Sequence, residues 1–197
     1  MNIVDLFKKL NSVDALDRCD AIEELSENIS AAGVADEIQK HFDDNDFLVR
    51  SEAYDAFYGY ADTKTLEKLC YRIKKEKSKC ARMHLCSTIC SIIKKIGCSK
   101  QLYNVIKQSY IKEKSTNVLL SYWCIFYLVE QDKSYIQKIL SYLSDEDYHI
   151  KCNVINLLAD IEDNYVKQCE RETFSLLLDR EDSEAVRTLL KDALKNV

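Results

Sequence analysis

Nine cysteines and three histidines are the residues of this 197-residue chain that could bind a metal or serve as nucleophile or base. Five of them are clustered: Cys80, His84, Cys86, Cys90 and Cys98. Two pairs are spaced four residues apart, so each could share a helix face: Cys80 with His84, and Cys86 with Cys90. The pairs point about 200° apart at 100° per residue, and no Cys-x-x-Cys pair is present. The spacing favours small buried apolar side chains over a zinc site.

Motifs for enzymatic chemistry are absent from the sequence. Three scattered glycines cannot form a phosphate-binding loop, and neither His-Glu-x-x-His nor Gly-x-Ser-x-Gly occurs. His41, His84 and His149 have no evident Cys or Ser partner along the chain, so solvent-exposed histidines are the simpler interpretation. We therefore predict a non-enzymatic protein with no catalytic residue, no cofactor and no metal ligand.

Composition predicts helices almost throughout. Proline is absent and only three glycines occur, too few for the tight turns of a β-sandwich or barrel. The first residues resemble a short amphipathic helix rather than a signal peptide. The most apolar stretch, 118–129, is too short to span a bilayer. Nine cysteines without a secretion signal suggest reduced thiols, so we predict a cytoplasmic protein that does not bind membranes.

A repeated pattern supplies the elements that would position any functional side chain. It consists of a polar helix cap, a basic residue four positions later, and apolar residues three and seven positions beyond that. The caps are Asp14, Asp46, Ser78, Asp147 and Ser183, and the register positions are Arg18, Arg50, Arg82, Val118, Lys151 and Arg187. Other amphipathic stretches lie between them, at about 34–42, 66–77, 100–112, 135–143 and 165–178. A period of 32 to 36 residues with two helices each predicts stacked helical hairpins.

The repeat resembles the HEAT family. The resemblance rests on Asp46, Val49, Arg50 and Ala53, and on weaker versions around Lys151 and Arg18. In that family an Asp caps the second helix and a basic residue helps to tie adjacent hairpins together. Val118 breaks the pattern, so we expect a polar ladder to be interrupted there. Armadillo-type and other helical repeats remain open.

The resemblance implies an all-α fold, a right-handed α-solenoid of about six HEAT-like antiparallel helical hairpins. We predict one domain over 1–197, with hairpins near 1–30, 33–60, 63–97, 99–131, 133–162 and 164–197. The first hairpin is abbreviated, with a short helix over 2–10 as its first member.

Charge is unevenly distributed along the chain. Residues 1–62 carry a net charge of −10, residues 63–114 of +11, and residues 115–197 of −6. A basic middle could bind nucleic acid. However, its lysines cluster where helices are predicted to end, and cations stabilise helix C-termini. Solvated helix ends are therefore the favoured interpretation.

The second helices commonly line the concave side of such solenoids. Positions two, five and nine after each register residue should then project from the core. From these we select ten residues as candidate partner-binding positions: Asp20, Glu23, Glu52, Asp55, His84, Trp123, Tyr127, Asn153, Asn156 and Asp160. Tyr122, Trp123, Phe126 and Tyr127 cover most directions around one helix, so some must belong to the core. Trp123 is equally compatible with packing and recognition.

The leading hypothesis is a repeat protein that holds another protein with a basic surface on this concave face. Small acidic repeat proteins of this type resemble immunity or antitoxin proteins, which would make the partner a basic toxin domain. One alternative is a HEAT-like nucleic-acid-binding protein or alkylpurine DNA glycosylase, with Trp123, Tyr127 and Asp160 in its cleft. The acidic residues predicted at one end of the concave face disfavour DNA binding. Another is a scaffold or assembly chaperone.

Overall fold

Helices form wherever the hydrophobic periodicity predicts them. The computed structural model describes residues 2–195, which form α-helices and short 3-10 turns with no β-strand. The helices are α1 (Ile3–Lys9), α2 (Ala15–Ser26), α3 (Val34–Lys40), α4 (Phe47–Asp55), α5 (Thr63–Arg72), α6 (Lys79–Ile96), α7 (Lys100–Tyr110), α8 (Thr116–Glu130), α9 (Ser134–Leu140), α10 (Tyr148–Ala159), α11 (Asn164–Leu178) and α12 (Glu184–Leu194). The prediction of an all-α fold is confirmed. No helix over this range is both long and apolar enough to cross a membrane.

The predicted caps begin five of these helices. The side chains of Asp14, Asp46 and Asp147 each accept a hydrogen bond from the amide two residues later, at the start of α2, α4 and α10. Ser78 and Ser183 accept from the amide three residues later in α6 and α12. Each cap satisfies a backbone donor that the helix itself leaves unpaired, which stabilises the helix by about 1 kcal/mol.

The chain divides into two compact units between Lys112 and Glu113. In the first unit α2 packs on α4 and α4 on α6, while α1 packs on α2 and α5 packs on both α6 and α7. In the second unit α8 packs on α9 and α10, and α12 packs on α10 and α11. The capped helices thus neighbour one another in a row within each unit. The boundary falls inside the predicted hairpin 99–131, and the single domain stays a prediction.

The register arginines tie successive capped helices of the first unit together. Arg18 donates two hydrogen bonds of 2.9 Å to the carboxylate of Asp44, and Arg50 donates two of 2.8 Å to that of Glu76. Asp44 and Glu76 also accept the amides of the caps Asp46 and Ser78, at 2.9 Å each. We call this repeated arrangement the arginine ladder; bidentate pairs of this kind are strong and directional.

The second unit repeats this arrangement at Lys151. Lys151 donates to Glu181 at 2.9 Å, and Glu181 accepts the amide of the cap Ser183 at 3.0 Å. The predicted tying role of the basic residue is therefore confirmed at Arg18, Arg50 and Lys151. Val118 is fully buried, as an apolar residue at that register position should be.

One carboxylate of the second unit, that of Glu170, lies in the core with only partial compensation of its charge. Glu170 in α11 is 1% exposed, and within residues 2–195 its Oε1 has no hydrogen-bond partner. Burial raises the pKa of Glu170 to about 7, and Lys167 offsets this only in part. Hydrophobic periodicity could not predict that Glu170 is buried, because it assigns charged side chains to the surface.

Candidate functional site

Four of the predicted partner-binding residues form an acidic surface on α2 and α4. We call Asp20, Glu23, Glu52 and Asp55 the acidic ridge. Asp20 is exposed and accepts a hydrogen bond of 2.9 Å from Lys9, and Glu23 is exposed as well. Glu52 and Asp55 are half-buried. Burial, followed by repulsion from Asp55 and Glu23, raises the pKa of Glu52. The ridge therefore concentrates negative charge that the protein itself neutralises only in part.

His84 limits the acidic ridge at the neighbouring helix α6. Its Nδ1 lies 2.6 Å from Oδ2 of Asp55. This hydrogen bond, together with the negative charges of Asp55 and Glu52, raises the pKa of His84 even though burial opposes the charged form. The structure thus brings five of the ten predicted residues together in the first unit.

We expect His84→Gln to remove a pH-dependent part of the first unit's stability. The pKa of His84 is higher in the folded chain than in the unfolded one, so its stabilising effect is complete below about pH 6.5 and disappears as pH rises through the folded pKa. The pair is half-exposed, so the effect should not exceed about 1 kcal/mol. Urea titrations at pH 6 and pH 9 test this, with His149→Gln, exposed on α10, as control. Equal losses at both pH values would contradict it.

The prediction that Leu120, Trp123 and Tyr127 project from the core is wrong. Leu120 is fully buried, and the two aromatic residues are each 3% exposed. Trp123 packs against Tyr142 with ring centroids 5.6 Å apart, and Lys138 Nζ lies 4.7 Å from its ring. Helix α8 is apolar on nearly every side, so a fixed offset from the register position cannot identify an outward face there.

The remaining predicted residues lie on α10 and at its end. Asn153 is half-buried and donates to Oδ1 of Asn117 at 3.1 Å, so its amide already has a partner within the second unit. Asn156 and Asp160 are exposed. The second unit therefore offers two exposed polar positions from the predicted set and no aromatic anchor from it.

A groove between α3 and α5 was not predicted. It has a volume of about 680 Å³. It is lined by Asp36, Gln39, Lys40, Phe42, Asp43, Lys64, Glu67, Lys68, Tyr71, Arg72 and Lys75. At least three of its cations are already engaged. Arg72 contacts Asp43, Lys68 contacts Gln39, and Lys40 pairs with Glu37. The sequence showed that residues 63–114 are basic, and these residues supply the lysines on the α5 side of the groove. It gave no indication that α3 lies opposite them.

The cysteines and histidines of the predicted cluster do not form a metal centre in the described part of the chain. No group of three or more His, Cys, Asp or Glu side chains over residues 2–195 could hold a metal ion. All nine cysteines are free thiols, and Cys70, Cys86 and Cys124 are buried. Burial raises the pKa of the Cys70 thiol to about 12, which keeps it protonated and unreactive.

No family model matches the chain, and no curated protein is significantly similar to it. The resemblance to HEAT repeats rests on the quoted residues of this sequence alone.

Proposed function

We propose that this chain is a non-enzymatic, HEAT-like α-solenoid that binds another protein through its acidic ridge, and that the partner has a basic surface. The observation that carries the proposal is the half-buried Glu52 near Asp55 and Glu23, where burial first and then repulsion from these two carboxylates raise its pKa. The mutual repulsion of these three carboxylates costs free energy in the unbound chain. A cationic partner would relieve this repulsion and accelerate encounter by long-range attraction.

A narrower form of the proposal makes the chain a cytoplasmic immunity or antitoxin protein whose partner is a basic toxin domain. The net charge of −10 in residues 1–62 and the resemblance to helical-repeat proteins support it. Co-purification from the native cell tests this form. It requires a basic protein that is lost when Asp20, Glu23, Glu52 and Asp55 are all changed to Lys.

Neutralising three of the four carboxylates of the acidic ridge should weaken binding of a cationic peptide by about tenfold or more. The variant is Glu23→Gln/Glu52→Gln/Asp55→Asn, and the probe is the peptide SKKSSKKSSKKSSK at low ionic strength. Screening by added salt should weaken the wild-type interaction and reduce the difference between the two proteins. Isothermal titration calorimetry gives both affinities.

A matched control removes the same charge from exposed positions elsewhere in the first unit. That variant is Asp5→Asn/Asp36→Asn/Glu67→Gln. It should bind the peptide nearly as well as the wild type does. Equal losses in the two variants would show that net charge alone, rather than the acidic ridge, attracts the peptide, and the proposal would fail.

The groove between α3 and α5 favours nucleic-acid binding as a second candidate function. Lys64, Lys68 and Lys75 line one wall, and Tyr71, which is 41% exposed, offers a ring on which a base could stack. Asp36, Asp43 and Glu67 oppose a phosphate backbone in the same groove. Salt-dependent retention on immobilised single-stranded DNA or RNA, lost in Lys64→Ser/Lys75→Ser, would support it.

The glycosylase form of that alternative loses its candidate site. Trp123 and Tyr127 are buried in the second unit, where their rings cannot contact an extruded base without disrupting the packing of α8. Asp160 is exposed and lies just beyond the end of α10. The acidic ridge is also the wrong charge for DNA.

A further inference from the structure

Large apolar side chains are exposed where the capped helices α2 and α4 begin. Val13 is fully exposed, and Leu16, Phe47 and Leu48 are 65%, 42% and 45% exposed. We call these four residues the apolar rim. Isolated apolar residues on a surface need no explanation, but four at the starts of two helices that pack together do.

The arginine ladder holds the two halves of the apolar rim side by side. Arg18 donates to the carbonyl oxygen of Val13 at 3.2 Å and to the carboxylate of Asp44 at 2.9 Å. Asp44 in turn accepts the amide of Asp46, the cap that starts α4 at Phe47. One guanidinium group therefore joins the loop before α2 to the loop before α4, and the rim is ordered before any partner binds.

The apolar rim and the acidic ridge continue one another along the same helix faces. On α2, Leu16, Asp20 and Glu23 are spaced as i, i+4 and i+7, which places them on one side of the helix. On α4, Leu48, Glu52 and Asp55 have the same spacing. Seven residues of helix span about 10 Å. The face is thus apolar at its start and acidic about 10 Å further along.

We propose that the apolar rim and the acidic ridge form a single docking surface for an amphipathic basic segment of the partner protein. This inference rests on the proposed function and adds that the partner must present apolar side chains beside its cations. Charge selects a basic occupant, because residues 1–62 carry a net charge of −10 and a second copy that docked through the same face would bring the same charge to it. The preformed rim lowers the ordering cost of binding.

Two peptides with identical lysines separate the contribution of the rim from that of the ridge. The amphipathic peptide LKKLLKKLLKKLLK has leucine at each position where SKKSSKKSSKKSSK has serine. The wild-type protein should bind the leucine peptide about tenfold or more tightly than the serine peptide, because the rim removes leucine side chains from water. Leu16→Ser/Leu48→Ser should lose most of that preference and retain its affinity for the serine peptide.

The matched control is Ile111→Ser, which removes an apolar side chain that is 78% exposed in the same unit but outside the rim. It should keep the full preference for the leucine peptide. All these positions are exposed, so circular dichroism should show unchanged helix content and urea midpoint.

Each other outcome has a separate meaning. If the Leu16→Ser/Leu48→Ser variant keeps the wild-type preference, the rim does not contribute and this inference is overturned. If the wild type binds neither peptide, the proposed function fails as well. If sedimentation shows that the wild type dimerises and the variant does not, a second copy occupies the rim, and the inference is likewise overturned.

Discussion

Replacing Glu76 with alanine should destabilise the first unit by about 3–5 kcal/mol, because removing one partner of a buried ion pair leaves the other charge uncompensated. Glu76 is 5% exposed and accepts two hydrogen bonds from Arg50 and one of 2.9 Å from the hydroxyl of Tyr54. Burial alone would raise the pKa of Glu76. The hydrogen bonds from Arg50, the Ser78 amide and Tyr54 outweigh it and lower that pKa to about 2.

Urea denaturation followed by circular dichroism, with hydrogen exchange over α4, α5 and α6, measures this loss. The control is Glu67→Ala, an exposed carboxylate of α5, which should change the free energy of unfolding by less than about 0.5 kcal/mol. The contribution of Glu76 should also disappear as pH falls from about 4.5 towards 2, since its folded pKa lies below its unfolded one. A loss below about 1 kcal/mol in Glu76→Ala would contradict the strength assigned to the arginine ladder.

Replacing Glu170 with leucine should have the opposite effect and stabilise the second unit at pH 8. The folded pKa of Glu170, about 7, lies above its unfolded value of 4.5, so stability is lost as pH rises between these values. The wild type should therefore lose about 2–3 kcal/mol between pH 5 and pH 8 relative to the variant. Urea titrations at both pH values provide the comparison.

Glu172→Leu provides the control for this prediction, because Glu172 is exposed on the same helix. Its stability should follow the wild type at both pH values to within about 0.5 kcal/mol. If Glu170→Leu also shows the wild-type pH dependence, the carboxyl of Glu170 is hydrated or paired in solution, and its assignment as an only partly compensated buried group is wrong.

The regular parts of this fold could be predicted from local chemistry. Caps such as Asp14 and Asp147 sit where the chain must satisfy unpaired amides, and their positions relative to the following apolar residues define each helix start. The tying role of the basic residue four positions later was implied by the resemblance to HEAT repeats, and Arg18 and Arg50 have it. Its acceptors, Asp44 and Glu76, were not identified, because each lies 26 residues further along the chain.

Only some of the candidate partner-binding positions could be predicted, for a related reason. Where a helix carries polar residues on one face, as α2 does, a fixed offset from the register residue gives the outward positions, and Asp20 and Glu23 are exposed. On α4 the same offset selects Glu52 and Asp55, which are half-buried. Where a helix is apolar on nearly every side, as α8 is, burial depends on neighbouring helices, and the same offset selected Trp123 and Tyr127 wrongly. Hydrophobic periodicity could not predict the apolar rim, because it assigns every leucine to the core.

The arginine ladder has a consequence for the turns that connect the hairpins. Connecting turns are usually where chains are first cut, because their peptide groups are bound only to water. Here the backbone carbonyls of Ser12 and Asp44 are each held by an arginine, at 2.9 and 2.8 Å, and the amides of Asp46 and Ser78 by a carboxylate. Limited proteolysis with a protease of broad specificity should therefore spare the turns before α2 and α4 and cut first in an exposed turn outside the ladder, such as the one at Lys112. The turns that the arginine ladder holds would then resist proteolysis as well as the helices do.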